Sequence, residues 1–210
     1  MRTAGIDASL NLLRICKRKG RCQRLVCGEL EHLPFKDGSF DRAVSVRVLQ
    51  HLPQQREAVA EMVRVVGVGG EAILHCYNAF STKGLVKRIR ESRWQRVLNA
   101  PFQALFRTLS PFRPWEPEYD AYSTVPQIRR WLRDSGAEVV QVRGSGFGFN
   151  KWLLDDFLVA PWLEKHSPRT LERYLAASLR LEDMLGRVAP LSYAMEKFVI
   201  RGVKRPDRRA

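Results

Sequence analysis

Cysteine is scarce in this 210-residue sequence, with four residues at Cys16, Cys22, Cys27 and Cys76. No two of them form a CxxC pair, so neither a paired-thiol redox motif nor an ordinary zinc knuckle is indicated. Cys16, Cys22 and Cys27 could in principle share a metal, but reduced thiols are the simpler reading, and no metal site is expected. No apolar run is long enough to cross a bilayer. The opening Met1-Arg2-Thr3-Ala4-Gly5-Ile6-Asp7 has no apolar stretch of the kind found in a secretory leader. A cytoplasmic location is the expectation. Internal repeats and low-complexity segments are also lacking. Acidic residues are outnumbered: 22 Asp and Glu face 36 Lys and Arg, a formal charge of +14. That surplus favours an anionic partner such as nucleic acid, an acidic membrane surface or an acidic substrate.

What is present is the balance of a globular protein, with 45% hydrophobic and 28% charged residues. Periodicity and breakers predict an ordered series of short elements. Ala4–Asp7 reads as a strand, Ser9–Lys19 as a helix stopped by Gly20, and Arg24–Cys27 as a second strand. Glu29–Gly38 is a loop with the turn signal Asp37-Gly38. Phe40–Val46 is a third strand. Gln54–Val66 carries Ala58, Val59, Met62, Val63 and Val66 at helical spacing, and Gly67, Gly69 and Gly70 end it before a strand over Glu71–Tyr77. Short strands alternating with helices predict a parallel sheet with crossover helices.

Residues 79–122 break that rhythm and read as an inserted cap. The α/β pattern then resumes. Thr124–Ser135 is a helix with Thr124 as cap and Pro126 in its first turn, and Gly136 stops it. Glu138–Val142 is a strand, residues 150–189 are mostly helical with a break at Ser167-Pro168, and Phe198–Val203 is a final strand. Three regions follow: residues 1–78 as a partial nucleotide-type core, 79–122 as the cap, and 123–210 as the rest of the α/β fold with added helices.

Two acids stand where parallel sheets bind ligands, at the C-terminal ends of strands. Asp7 in Gly5-Ile6-Asp7-Ala8-Ser9 could accept hydrogen bonds from both hydroxyls of a ribose, although an acid there can equally cap a helix. Glu29 in Gly28-Glu29-Leu30 could accept from an adenine amine, with Leu30 against the purine face; a solvated loop acid is the alternative.

The motifs then continue in order: Leu33-Pro34-Phe35, Gly38-Ser39-Phe40-Asp41, Val48-Leu49-Gln50-His51-Leu52, and Glu61-Met62-Val63-Arg64-Val65-Val66 with Gly69-Gly70 just after. This series resembles the class I S-adenosylmethionine-dependent methyltransferase superfamily, in the branch with an "LPF-x-D-x-SFD" segment and an "E-x-x-RVL-x-PGG" helix end. The likeness is dense from Gly5 to Tyr77 and ordered again from Tyr119 to Val142. It implies a Rossmann-like, doubly wound, mostly parallel sheet with strand order 3-2-1-4-5-7-6, and S-adenosylmethionine as cofactor. By the same resemblance Asp7, with Ala8 beside it, matches the ribose-binding acid. Glu29 and Leu30 match the adenine contacts, and Ser45 and Val46 match the segment beside the methionine part. His51 matches a histidine at the following helix start. A catalytic base is one reading of it, and a structural helix-end residue is the favoured one.

Two departures stand out. Val66-Gly67-Val68-Gly69-Gly70 replaces the usual Leu-Lys-Pro-Gly-Gly. Only six residues precede Asp7, whereas the family's first strand, glycine-rich turn and helix need roughly 30. The expectation is therefore a chain lacking that first unit, from an internal or misassigned start or a gene fragment, with poor cofactor binding on its own.

The cap carries Trp94, Val97, Leu98, Phe102, Leu105, Phe106 and Leu109 on one helical face. Eight basic residues between Lys83 and Arg113 accompany them, and Pro101 should kink or split the helix. Such a segment suits a lid, an anionic membrane surface or RNA. The expected activity is methyl transfer to a small or lipid-like acceptor, with peripheral membrane contact. A tRNA- or RNA-modifying methyltransferase is the alternative enzyme, and a non-catalytic remnant the alternative from another class.

Overall fold

The computed structural model describes residues 3–20, 22, 24–81, 84, 88, 121–146, 160–188 and 192–206. Nearly all of the 79–122 cap, with its apolar anchors and basic residues, lies outside them, as do residues 150–159.

The chain begins with strand β1 (Ala4–Asp7), helix α1 (Leu10–Arg18) and strand β2 (Arg24–Cys27). Ser9 caps α1 by accepting from the Leu12 amide at 3.4 Å, and Lys17 and Arg18 sit in its last turn, where cations suit the helix dipole. Gly20 follows at φ 62°, a left-handed stop that costs a residue without Cβ little. β1 and β2 pair in parallel, Ala4 with Arg24 through Asp7 with Cys27.

Strand β3 (Phe40–Val46), a 3₁₀ turn (Leu49–His51), helix α2 (Gln55–Val65) and strand β4 (Val66–Tyr77) come next. β4 starts five residues earlier than the sequence suggests. Its glycine-rich opening pairs with β3 at Val66–Phe40, and the register shifts before Arg42 meets Glu71. Gly70 lies so close to Asp41 that an added Cβ would stand 2.7 Å from the Asp41 carbonyl oxygen. Helix α3 (Val125–Asp134) follows the cap. It has a full capping box, Thr124 with Gln127, and Pro126 in its first turn. Strand β5 (Ala137–Ser145), helices α4 (Ala160–His166) and α5 (Pro168–Gly186) and strand β6 (Lys197–Lys204) complete the order.

The second sheet runs β3-β4-β6-β5. β3 and β4 are parallel, but β6 is antiparallel to both β4 and β5. A mostly parallel sheet was expected; the four described pairings divide evenly, because β6 enters between β4 and β5 from the opposite end. Written in the family numbering, the strands stand as 3-2 and 4-5-7-6, in the expected order. No hydrogen-bonded strand joins the two sheets among the described residues.

One face of the larger sheet carries the core. Leu74, Phe198 and Ile200 are wholly buried there against Val59, Met62 and Val63 of α2 and Ile128 and Leu132 of α3. Burying side chains of this size contributes about 1.5–3 kcal/mol each. Lys204 closes the construction by donating to the Arg64 and Val66 carbonyls at 3.1 and 2.8 Å. It thereby satisfies groups left open where α2 ends.

Candidate active site at the strand ends

The two sheets are tied by a clasp. Arg64 on α2 donates to the carbonyls of Leu33 (2.9 Å) and Phe35 (2.8 Å), and to the carboxylates of Glu61 and Asp37 (both 2.6 Å). Glu61 in turn accepts from the Leu33 amide at 2.8 Å. The Arg64 hydrogen bond holds the Glu61 carboxyl below its ordinary range. The same contacts raise the already high pKa of Arg64. The Glu-x-x-Arg pair and the Leu-Pro-Phe segment, which looked like separate motifs, are thus one device. It fixes the loop that leaves β2 against the helix behind β3 and β4. Leu30, in that loop, packs on the main core.

Asp7 ends β1. One carboxylate oxygen accepts from the Ser9 amide at 2.8 Å, and the other has no partner among the described residues. The half-buried carboxylate is therefore oriented by its own loop and keeps one oxygen to offer. Ala8 beside it is exposed. Because Asp7 lies opposite Cys27 in the parallel pair, the exposed Glu29 leaves the adjacent strand end. Asp7, Ala8 and Glu29 thus lie at the C-terminal edge of one sheet, while the Leu30 side chain packs against the core of the other.

Ser45 and Val46 stand at the corresponding edge of the other sheet, and they point in opposite directions. Ser45 is buried on the helix-packed side, and its hydroxyl has no partner among the described residues. Val46 is 54% exposed on the other side. His51 closes the 3₁₀ turn, exposed, with its Nε2 at 3.1 Å from the Gln50 amide nitrogen. An open pocket lined by Arg56, Glu61, Arg64 and Asp134 contains none of these residues. Among the described residues no group of three or more His, Cys, Asp or Glu could hold a metal ion, and the four cysteines are unpaired.

The strand ends also hold residues that no motif announced. Arg47, just past β3, has φ 55°, and its amide donates to the His75 carbonyl at 2.8 Å. Tyr77 stacks on Tyr122 with ring centroids 5.2 Å apart, and the Lys197 ammonium lies 5.4 Å from the Tyr77 centroid. The wholly buried Asn78 secures this corner. Its side chain donates to the Tyr193 and Met195 carbonyls (2.7 and 2.8 Å) and accepts from the Phe80 amide. Its backbone bridges to Ser123, so the chain departs toward the cap and returns from it at neighbouring points.

Residues 1–74 match a methyltransferase domain model. The chain has the fold of the class I S-adenosylmethionine-dependent methyltransferases. Among solved structures of that fold, a methyltransferase from Thermotoga maritima superposes with a TM-score of 0.58 at 17% identity, covering 97% of this chain and 73% of that one. The YcgJ protein of Bacillus subtilis gives 0.53 at 17% identity, covering 98% and 83%. Curated relatives include the tRNA (carboxymethyluridine(34)-5-O)-methyltransferase ALKBH8 of Macaca fascicularis, 29% identical over 78% of this chain and 26% of that protein. Another is the demethylmenaquinone methyltransferase of Renibacterium salmoninarum, 25% identical over 68% and 60%. The chain thus spans less than two thirds of the length of either relative. S-adenosylmethionine is the cofactor that goes with the superfamily.

Proposed function

We propose that this protein transfers a methyl group from S-adenosylmethionine to a small or lipid-like acceptor, at the C-terminal ends of β1–β4. The observation that carries the reading is the Asp7 carboxylate, held at its strand end by the Ser9 amide with its other oxygen unpartnered among the described residues, beside Glu29 past the neighbouring strand end. A free oxygen on an oriented carboxylate fits a ribose hydroxyl. The loop acid Glu29 and the apolar Leu30 suit an adenine ring. The backbone at Ser45 and Val46 would lie toward the methionyl part. When bound, the cofactor supplies an activated methyl sulfonium, so the protein's task is to position the acceptor and exclude water. His51 stays assigned to the turn that shapes this edge rather than to proton transfer.

A second reading, methylation of tRNA, is favoured by the net charge of +14 and by relatives named as tRNA methyltransferases. Calorimetric titration of the full chain with S-adenosylmethionine tests the common part. Asp7→Asn keeps an oxygen for Ser9 but removes the charge, and should weaken binding by roughly one to two decades, or about 1.5–3 kcal/mol. His51→Ala should leave binding nearly unchanged. An unaltered dissociation constant in D7N removes the ribose assignment, and no binding by the unaltered protein leaves the non-catalytic reading. Transfer of labelled methyl to total tRNA but not to a lipid and quinone extract replaces the first acceptor class with the second.

A further inference from the structure

Arg47 is the only non-glycine described residue with positive φ. L residues rarely adopt that conformation, and where they do the site is often functional. Its guanidinium is exposed and has no partner among the described residues. Across β4, Lys197 at the start of β6 pairs with Tyr77, two residues beyond His75. Lys197 meets Glu196 at 3.6 Å, but that carboxylate is almost fully buried and engaged elsewhere as well. Between the two cations lies His75, whose Nε2 is buried and has no hydrogen-bond partner among the described residues. Burial lowers its pKa first, and the charges of Lys197 and then Arg47 lower it further, so both cations act on one imidazole. The next acid on this face, Glu71, is taken up by Arg42 at 2.8 Å and Arg201 at 3.3 Å, four residues back along β4. Among the described residues, the C-terminal edge of β3 and β4 therefore carries two cations against one buried, shared carboxylate, next to a stacked tyrosine pair.

We propose that Arg47 and Lys197, on either side of His75, form a subsite for an anionic group of carboxylate or phosphate size on the acceptor. Arg47 offers a planar fork of donors and Lys197 a point charge. Tyr77 and Tyr122 wall one side with aromatic surface. The assignment of the anion to the acceptor rests on the proposed methyl transfer; the subsite itself does not.

The test follows the His75 imidazole by NMR in the full chain, with the signal assigned through H75Q, during titration with sodium phosphate and sodium acetate at constant ionic strength. An anion seated between the two cations offsets their repulsion of the imidazolium, so saturation should raise the pKa of His75. The double variant R47Q/K197Q should lose at least tenfold in phosphate affinity, and R47K should recover part of it. R133Q, which removes a charge from the distant helix α3, should bind like the unaltered protein, and S-adenosylmethionine binding to R47Q/K197Q should stay within about twofold. An unmoved His75 overturns the subsite, as does an equal response in R47Q/K197Q, which would mean diffuse attraction to a basic protein. Displacement of the anion by S-adenosylhomocysteine overturns the acceptor assignment, because the group held would then be the cofactor's own carboxylate. Anion binding by a protein that does not bind S-adenosylmethionine keeps the subsite and removes the methyl-transfer reading.

Discussion

Along β3, Ser45 is buried under the helices while its neighbours Val44 and Val46 stand 62% and 54% exposed on the opposite face. The same contrast runs across β4. Cys76 faces α2 and α3 in the dry core, where burial pushes its thiol up to about 12, and His75 faces the other way toward Arg47 and Lys197. A strand's period of two makes this possible, since successive side chains leave by opposite faces. One face of the sheet is committed to stability by close packing. The other is apolar at β3, carries charge across β4 and β6, and is covered near β5 by α5, whose Glu182 accepts from the Gly146 amide at 2.7 Å. Function can be placed on the second face because little of the fold's stability depends on it.

That division can be broken by mutation. Phe198→Ala removes a wholly buried ring from the packed face and should cost about 3–5 kcal/mol, read as a fall in the urea midpoint. A loss below about 1 kcal/mol would mean the two faces are not as unequal as described. Arg64→Ala opens the clasp between the sheets and should cost about 1.5–3 kcal/mol, since it removes charge-assisted bonds to two carbonyls and two carboxylates.

The clasp also has a pH signature. Glu61 holds its proton less tightly when folded than at its ordinary value of 4.5. Its contribution is therefore complete above that value and is lost as pH falls through the lower folded pKa. Unfolding followed between about pH 6 and pH 3 should show a steeper acid loss in the unaltered protein than in Glu61→Gln. Parallel profiles would remove Glu61 from the account. At the small end, Val44→Thr on the open face should change stability by less than about 0.5 kcal/mol. A larger loss would show that this valine is covered in the folded protein.

Much of the framework was readable because its signals are local. Thr124, Pro126 and Gly136 bracket α3 as the sequence suggests, and Phe40–Val46 forms the expected strand. The start of β4 was misread because three glycines within Val66–Gly70 resemble a helix stop. They lie instead inside β4, at the irregularity between its Val66 and Glu71 pairings with β3, and Gly70 leaves room for the Asp41 carbonyl. The resemblance located Asp7 and Glu29, and the structure gathers them at one sheet edge, but it gave no warning that the Ser45 side chain turns into the core. Arg47, His75 and Lys197 carry no motif. Lys197 comes beside Tyr77 only because β6 runs antiparallel into the middle of the sheet, a pairing across 120 residues that no local window contains.

The position of β6 has a consequence for how the protein is made. β4 and β5 cannot become neighbours in one sheet until β6 lies between them, and β6 is the last of the described strands in chain order. On the ribosome, the emerging chain holds two unpaired edges open while α4 and α5 are translated. The Lys204 ammonium, which locks onto the end of α2, arrives later still. Chains stopped before Lys197 should therefore be clients of chaperones, and termination there should be as damaging as a lesion in the core.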